Sequence, residues 1–419
     1  MKKFLVLFVL LATGLALAAC GRGGEIYLLQ NKPEIDAQLQ AFAELYEEEY
    51  GVKVNVVSCG GSSCQMADQL QSDIAAGETP DIFVIDGLAA YEQYDHILYD
   101  LSDEEWVSDT DVAFTFDGKV YGFPIAVEGW GLAYNADLLE EADIDPATLN
   151  SYQGYVDAFE KLDGMKSELG IDSVVSMAGG SAGMSWVTAD HNFNSLLSAG
   201  LDYDDLSVVN ALLDGDVDAS RLEQYANWVE LLFEYANPTV LKTGDYDAQV
   251  NAFAEQKAVF IHQGNWIEPN LQDANVTFDR AYAPHGTLDA ETDGIFVSAP
   301  SWYVVNKDSS NLQGALDFLT FMATSEEGHN YMVNEIGAIP AFKSVTLQPE
   351  APLSVSVAEW MSAGKVYAWN QYYFTSDFRS NTLGPIYAAF ATDVADNGAQ
   401  ASAKNDFIDD MTTAFENLG

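Results

Sequence analysis

Cations are scarce in this chain. Its 419 residues include 17 Lys and Arg against 65 Asp and Glu, for a formal net charge of −48. Acids make up about 16% of the chain and bases about 4%, where an even split of the usual charged content would give about 12% each. The imbalance is therefore mostly a shortage of Lys and Arg. That shortage excludes the electrostatic footprint of a nucleic-acid-binding protein. It also excludes adhesion to anionic lipid through a polybasic patch. The five histidines (His96, His191, His262, His285, His329) contain no i+3 or i+4 pair, so no metal site is expected. Asp214, Asp216 and Asp218 imitate the start of a calcium loop. The loop fails at its sixth position, Ala219, and at its twelfth, Tyr225. There is no Gly-x-Ser-x-Gly elbow and no phosphate loop, and no cofactor is expected. Against these absences stand 48% apolar and 12% aromatic residues. Such a chain buries a large core, and its length predicts two lobes.

The N-terminus departs from the rest. Lys2 and Lys3 precede an uncharged apolar run from Phe4 to Ala19. This is the pattern of a secretory signal peptide, and it is short for a membrane span. The run ends Leu17-Ala18-Ala19-Cys20, which resembles a bacterial lipobox. The expectation is cleavage of residues 1–19, a lipidated Cys20 and a flexible tether over 20–24. The mature chain would then sit outside the cell, held at the outer face of the cytoplasmic membrane by lipid alone. Two cysteines remain, Cys59 and Cys64, separated by Gly-Gly-Ser-Ser. In an oxidising compartment they are expected to form a structural disulfide. The alternatives are free thiols or a chemical role, and both the redox spacing and further metal ligands are missing.

From Glu25 onward, strand and helix patterns alternate. Glu25–Gln30, Val52–Val57 and Pro80–Asp86 read as strands. The intervening helices bury Ile35, Leu39, Phe42 and Tyr46, then Met66, Leu70 and Ile74. Gly51 and Gly77 stop them. This order predicts a mostly parallel sheet with ligands at the carboxyl ends of its strands. Gln30, Asn31, the Cys59–Cys64 loop and Asp86 lie at those ends and are the first candidates for one wall of a cleft. Asp117-Gly118 is a hairpin turn signal. Helical patterns dominate 145–240, with Trp228 expected in the core. Ser309 or Ser310 is expected to cap a helix starting at Leu312, and Ser325 the next. The region 352–419 reads as helical, with Trp360 in the core, apart from an aromatic segment at 367–374.

Four segments carry a family resemblance. They are Thr79–Asp86, then Asp117–Pro124 running on to Asp137, then Ala252–Trp266, and Val304–Lys307 continuing through Ala315–Leu319 to Gly337–Ala341. In this order they resemble the extracellular solute-binding proteins of carbohydrate ABC importers, the maltose-binding-protein-like family. The resemblance implies an α/β, two-lobed periplasmic-binding-protein fold with a hinge of several chain crossings and C-terminal helices on the second lobe. The crossings would fall near Pro124–Trp130, Ile295–Trp302 and Gly337–Ala341. Residues 25–127 and 300–340 would form the first lobe, and 128–299 and 341–419 the second. The chain would act by binding, as a monomer, with no catalytic residue. It would hand an oligosaccharide to ABC permease subunits served by a separate ATPase. Glu128 and Trp266 match family positions that touch sugar. The Cys59–Cys64 pair has no counterpart in the family's maltose-binding member, so the rim of the first lobe should differ.

A pyranose offers apolar faces and a rim of hydroxyls, so flat rings beside carboxylates and amides are the expected lining. The candidates are Asn31, Asp86, Glu128, Trp130, Trp186, Asn192, Gln263, Asn265, Trp266 and Trp302, with Tyr372 and Asp393 completing the set. Two other readings stay open. The same fold could hold a cationic solute such as a polyamine, or the chain could be a surface-anchored carbohydrate-active enzyme.

Overall fold

The computed structural model describes residues 24–61 and 64–419. The expected signal peptide, the expected lipidation site Cys20 and the expected tether up to residue 23 lie outside the described residues. Among these residues no helix is long and apolar enough to cross a membrane.

Two sheets organise the molecule. The first has six strands in the order Val54–Ser58, Ile26–Gln30, Ile82–Ile85, Trp302–Val305, Lys119–Pro124 and Phe114–Phe116. The first three are parallel, because a helix returns the chain after each of the first two strands. Trp302–Val305 enters from far along the chain and runs antiparallel to both neighbours. The helix Asp36–Tyr50 buries Leu39, Phe42 and Tyr46 and ends at Gly51 with φ 69°. Its Phe42 stacks on Phe321 and Tyr331. The hairpin turn at Asp117-Gly118 has positive φ at both residues, as a tight two-residue loop requires.

The second sheet orders Ser173–Ser176, Ala258–Ile261, Leu132–Asn135 and Arg280–Ala283. Helices surround it, including Ala219–Glu234, Gly384–Asn397 and Ala401–Glu416, which pack on one another. Trp228 is fully buried there. Trp360 is only partly buried and donates its Nε1 to the Tyr282 carbonyl. Asp218, the last acid of the calcium-like run, caps the helix Ala219–Glu234 by accepting from the Ser220 and Arg221 amides.

A third, three-stranded sheet joins Val366–Tyr367, Ile295–Ser298 and Glu128–Trp130. Here the chain passes between the two main sheets. Ile125 donates its amide to the Ser301 carbonyl at 3.3 Å, and Val127 donates to Ile339 at 3.0 Å. Three chain segments therefore run side by side as a laced hinge.

One expected cap is corrected. The helix Leu312–Thr324 starts after Asn311, not at Ser309 or Ser310. Ser309 instead accepts from the Asn311 amide and donates to Asp81, because it lies in the turn before the helix. Ser325 does cap the following helix, accepting from the Gly328 amide.

Candidate functional site

The carboxyl ends of the three parallel strands share one edge of the first sheet. They set Asn31, Cys59 and Asp86 side by side. Trp302–Val305 runs the other way, so its preceding residue, Ser301, joins the same edge. Ser301 Oγ donates to Asp86 at 2.9 Å, and Asn31 Nδ2 donates at 3.4 Å. The second sheet turns a matching edge toward this one. Its strands lead into His262 and His285, and Trp130 precedes Leu132–Asn135.

Two cations sit where the lobes meet. Lys32 Nζ donates to Glu128 Oε1 at 2.6 Å, lies 4.0 Å from Glu34 and stands 6.0 Å over the Trp266 ring. Burial works to lower its pKa, but Glu128 and Glu34 hold it above the ordinary lysine value. Burial pushes Glu34 up to about 7. Arg379 pairs with Asp190 and lies 5.4 Å from the Tyr372 ring. Each partner sits on its own π-helical stretch, Trp186–Asn192 and Phe378–Leu383. Such widened turns recur at functional sites. Burial raises both Asp190 and Asp86, against the pull of Arg379.

Aromatic rings line the second lobe's side. Trp266 lies against Gly264, which leaves no space for a side chain there, and donates Nε1 to Gln263. Its ring is 4.8 Å from His191, 6.1 Å from Trp369 and 6.5 Å from Trp186. Tyr372 crosses to the first lobe and covers Gly87, where a side chain would collide with it. Between Lys32, Glu128, Trp266 and Ala338 lies a cavity of about 20 Å³, room for a single water molecule.

The remaining expected residues divide. Trp130 is fully buried, stacked 4.1 Å on Phe296 and ringed by His191, His262 and His285. Burial holds His262 down to about 4 and the other two imidazoles well below their usual value. Asn192 is buried beside this layer with neither amide atom paired. Gln263 bonds Gln249 and Trp266, and Asn265 ties the Gly129 amide to Ser354. Both amides are thus engaged within the protein. Two residues are not brought into the cluster. Trp302 turns away from it, packing on Phe114 and donating to the Val112 carbonyl, because strand alternation points it at the opposite face. Asp393 lies on an outer helix and accepts from Asn397 one turn on.

Sequence reasoning missed Lys32, Glu34, Asp190 and Arg379. The available signal was rarity. Where cations are so few, one placed directly after a strand end carries information.

The family model for bacterial extracellular solute-binding proteins matches residues 41–361. The galactooligosaccharide-binding protein of Bacillus subtilis (strain 168) is 26% identical over 373 residues, covering 83% of this chain and 82% of its own length. A maltooligosaccharide ABC transporter solute-binding lipoprotein of Streptococcus pneumoniae is 25% identical, with 81% of each chain covered. Among solved structures, a Bacillus licheniformis sugar transporter in complex with stachyose superposes with a TM-score of 0.73 at 19% identity, covering 94% of this chain and 100% of its own. The solute-binding protein RafE in complex with raffinose gives 0.74 at 17% identity, covering 94% and 99%. These neighbours share the two-lobed fold that the sequence led us to expect. The chain belongs to the bacterial extracellular solute-binding protein family.

Proposed function

We propose that this protein captures an oligosaccharide between its lobes and delivers it to the permease of an ABC importer. The observation that carries the reading is the cluster of Trp266, Trp186, Trp369 and His191 set against Glu128, Lys32, Asp86 and Arg379 at the meeting of the lobes. Rings suit the apolar faces of a pyranose, and charged groups suit its hydroxyls. The oligosaccharide-binding relatives support the same class. Glu128, Asp86, Asn31, Trp266, Trp186 and Tyr372 are the proposed contacts, with Lys32 and Arg379 added. Residues 25–127 with 300–340, and 128–299 with 341–419, are the proposed lobes. The protein acts by binding rather than turnover, as a monomer anchored outside the cell through lipidated Cys20. The lipoprotein relative supports that anchor.

A binding cleft for such a ligand needs several hundred Å³, against the cavity of about 20 Å³ between the lobes. Entry therefore requires the lobes to part and close again as a hinge. Lys32 and Arg379 offset only two of the four cleft carboxylates, so it is the oligosaccharide-binding relatives, rather than the charge, that disfavour a polyamine. Titration calorimetry against linear and branched oligosaccharides should give heat with at least one of them. Silence across that panel, with a thermal shift on spermidine, would overturn the proposal.

A further inference from the structure

The Cys59–Cys64 disulfide lies outside the ligand cluster, yet its hairpin touches the segment that carries Lys32. The disulfide closes two short antiparallel strands, Gly60–Gly61 and Cys64–Gln65. Cys59 donates its amide to the Gln30 carbonyl at 2.8 Å, continuing the ladder in which Gln30 faces Ser58. Gly60 then presses on the next turn of chain. A Cβ there would stand 2.0 Å from the Asn31 carbonyl oxygen and 2.7 Å from Pro33. No side chain fits that gap.

Gln30 is the second half of the brace. Its fully buried side chain holds the Lys32 backbone at both ends. Lys32 donates its amide to Gln30 Oε1 at 2.7 Å, and Gln30 Nε2 donates to the Lys32 carbonyl at 2.7 Å. Gln30 Nε2 also donates to Ser58 Oγ, and Ser58 in turn donates to Asp36. Beyond this brace, Asn31 reaches Asp86 and Lys32 reaches Glu128.

We infer that the disulfide-closed hairpin, through Gly60 and Gln30, is a positioning element that holds Asn31 and Lys32 over the cleft carboxylates. It thereby sets ligand affinity and selectivity at the rim of the first lobe. This rests on the reading that the interlobe cleft is the ligand site, and its test separates the two.

The first readout needs no ligand. Lysine acetylation followed by peptide mass spectrometry should find Lys32 protected in the unaltered protein. In Gly60→Ala, which keeps the disulfide, and in the Cys59→Ser, Cys64→Ser double variant, Lys32 should label at least about tenfold faster. Lys404, paired with Glu230 in the second lobe, serves as internal reference and should keep its rate. An unchanged Lys32 rate, or Lys32 and Lys404 rising together, would overturn the inference, the latter by reducing the hairpin to a general stabiliser. The second readout is calorimetry with the tightest oligosaccharide of the panel, where both variants should bind at least about tenfold more weakly. Undiminished affinity would also overturn it. If the unaltered protein binds no sugar, the proposed function fails, and the labelling ratio still decides the role of the hairpin.

Discussion

Two buried ion pairs lie on either side of the hinge. Behind it, Arg280 meets Glu268 through two hydrogen bonds, and Glu268 also accepts the Leu353 amide at 2.6 Å. In front, Lys32 meets Glu128 through one. Both pairs are almost completely enclosed. They differ in what would expose them. Arg280 and Glu268 lie twelve residues apart on the second sheet's side, in the strand Arg280–Ala283 and the helix Glu268–Asp273, so parting of the lobes leaves the pair joined. Lys32 and Glu128 are covered by the opposing lobe, so opening suffices. A buried charge is costly when unpaired and gains little net stability when paired. The rear pair is therefore a commitment of the fold, and the front pair belongs to the closed arrangement of the lobes.

The strongest test of that contrast is Glu268→Ala. It leaves the Arg280 guanidinium buried without its partner and strips the Leu353 amide of its acceptor. Urea unfolding should show a loss of about 3–5 kcal/mol. A loss under about 1 kcal/mol would mean that this site hydrates without unfolding, and the contrast would collapse.

The histidine layer behind Trp130 extends the comparison to pH. Burial holds the His262 imidazole in the folded protein down to about 4, from its ordinary value of 6.5. The unfolded chain thus takes up a proton first. Stability is retained above about pH 6.5 and falls as pH drops toward 4, by roughly 3 kcal/mol for that shift. Glu34 acts with the opposite sign. Its folded pKa is raised to about 7, so its contribution is present below its unfolded pKa and lost as pH climbs through 7. Comparing the unaltered protein with His262→Gln cancels the Glu34 part. The unaltered protein should lose the extra stability between pH 6.5 and 4. Parallel curves would place His262 among the groups that opening alone exposes.

Trp266 tests the front side directly. Removing its ring by Trp266→Ala should weaken oligosaccharide binding by about 2 kcal/mol or more. Trp302→Ala, on the opposite face of the first sheet, should leave affinity within threefold. Equal losses in the two variants would contradict the placement of the cleft.

What was legible in the sequence follows the range of the interactions. The apolar face Leu39-Phe42-Tyr46 and the stops at Gly51 and Gly77 are set within a turn or two of helix, so spacing revealed them. Asp86 was legible as a carboxylate at a strand end, and Glu128 through the family resemblance. Lys32 was not, because its partner Glu128 lies 96 residues away and only the crossing strand brings it close. Asp190 and Arg379 meet through two separate π-helical stretches that no periodicity announces. Trp302 was misplaced for a related reason. Strand alternation has two phases, and only the neighbours Phe114 and Gly122 reveal which face receives the ring.

The smallest effect is expected at the front pair itself. Lys32→Met keeps most of the side-chain volume and deletes the charge. In a permanently enclosed site, the orphaned Glu128 would cost as much as the loss of Glu268 leaves at Arg280. Here the lobes can part and hydrate the carboxylate, so the protein escapes most of that penalty by opening. Urea unfolding should therefore change by under about 1 kcal/mol, as for a solvated pair. Small-angle scattering without ligand should show a larger radius of gyration than for the unaltered protein. A loss of several kcal/mol with no change in radius would show that Lys32 and Glu128 are locked together as firmly as the pair behind the hinge.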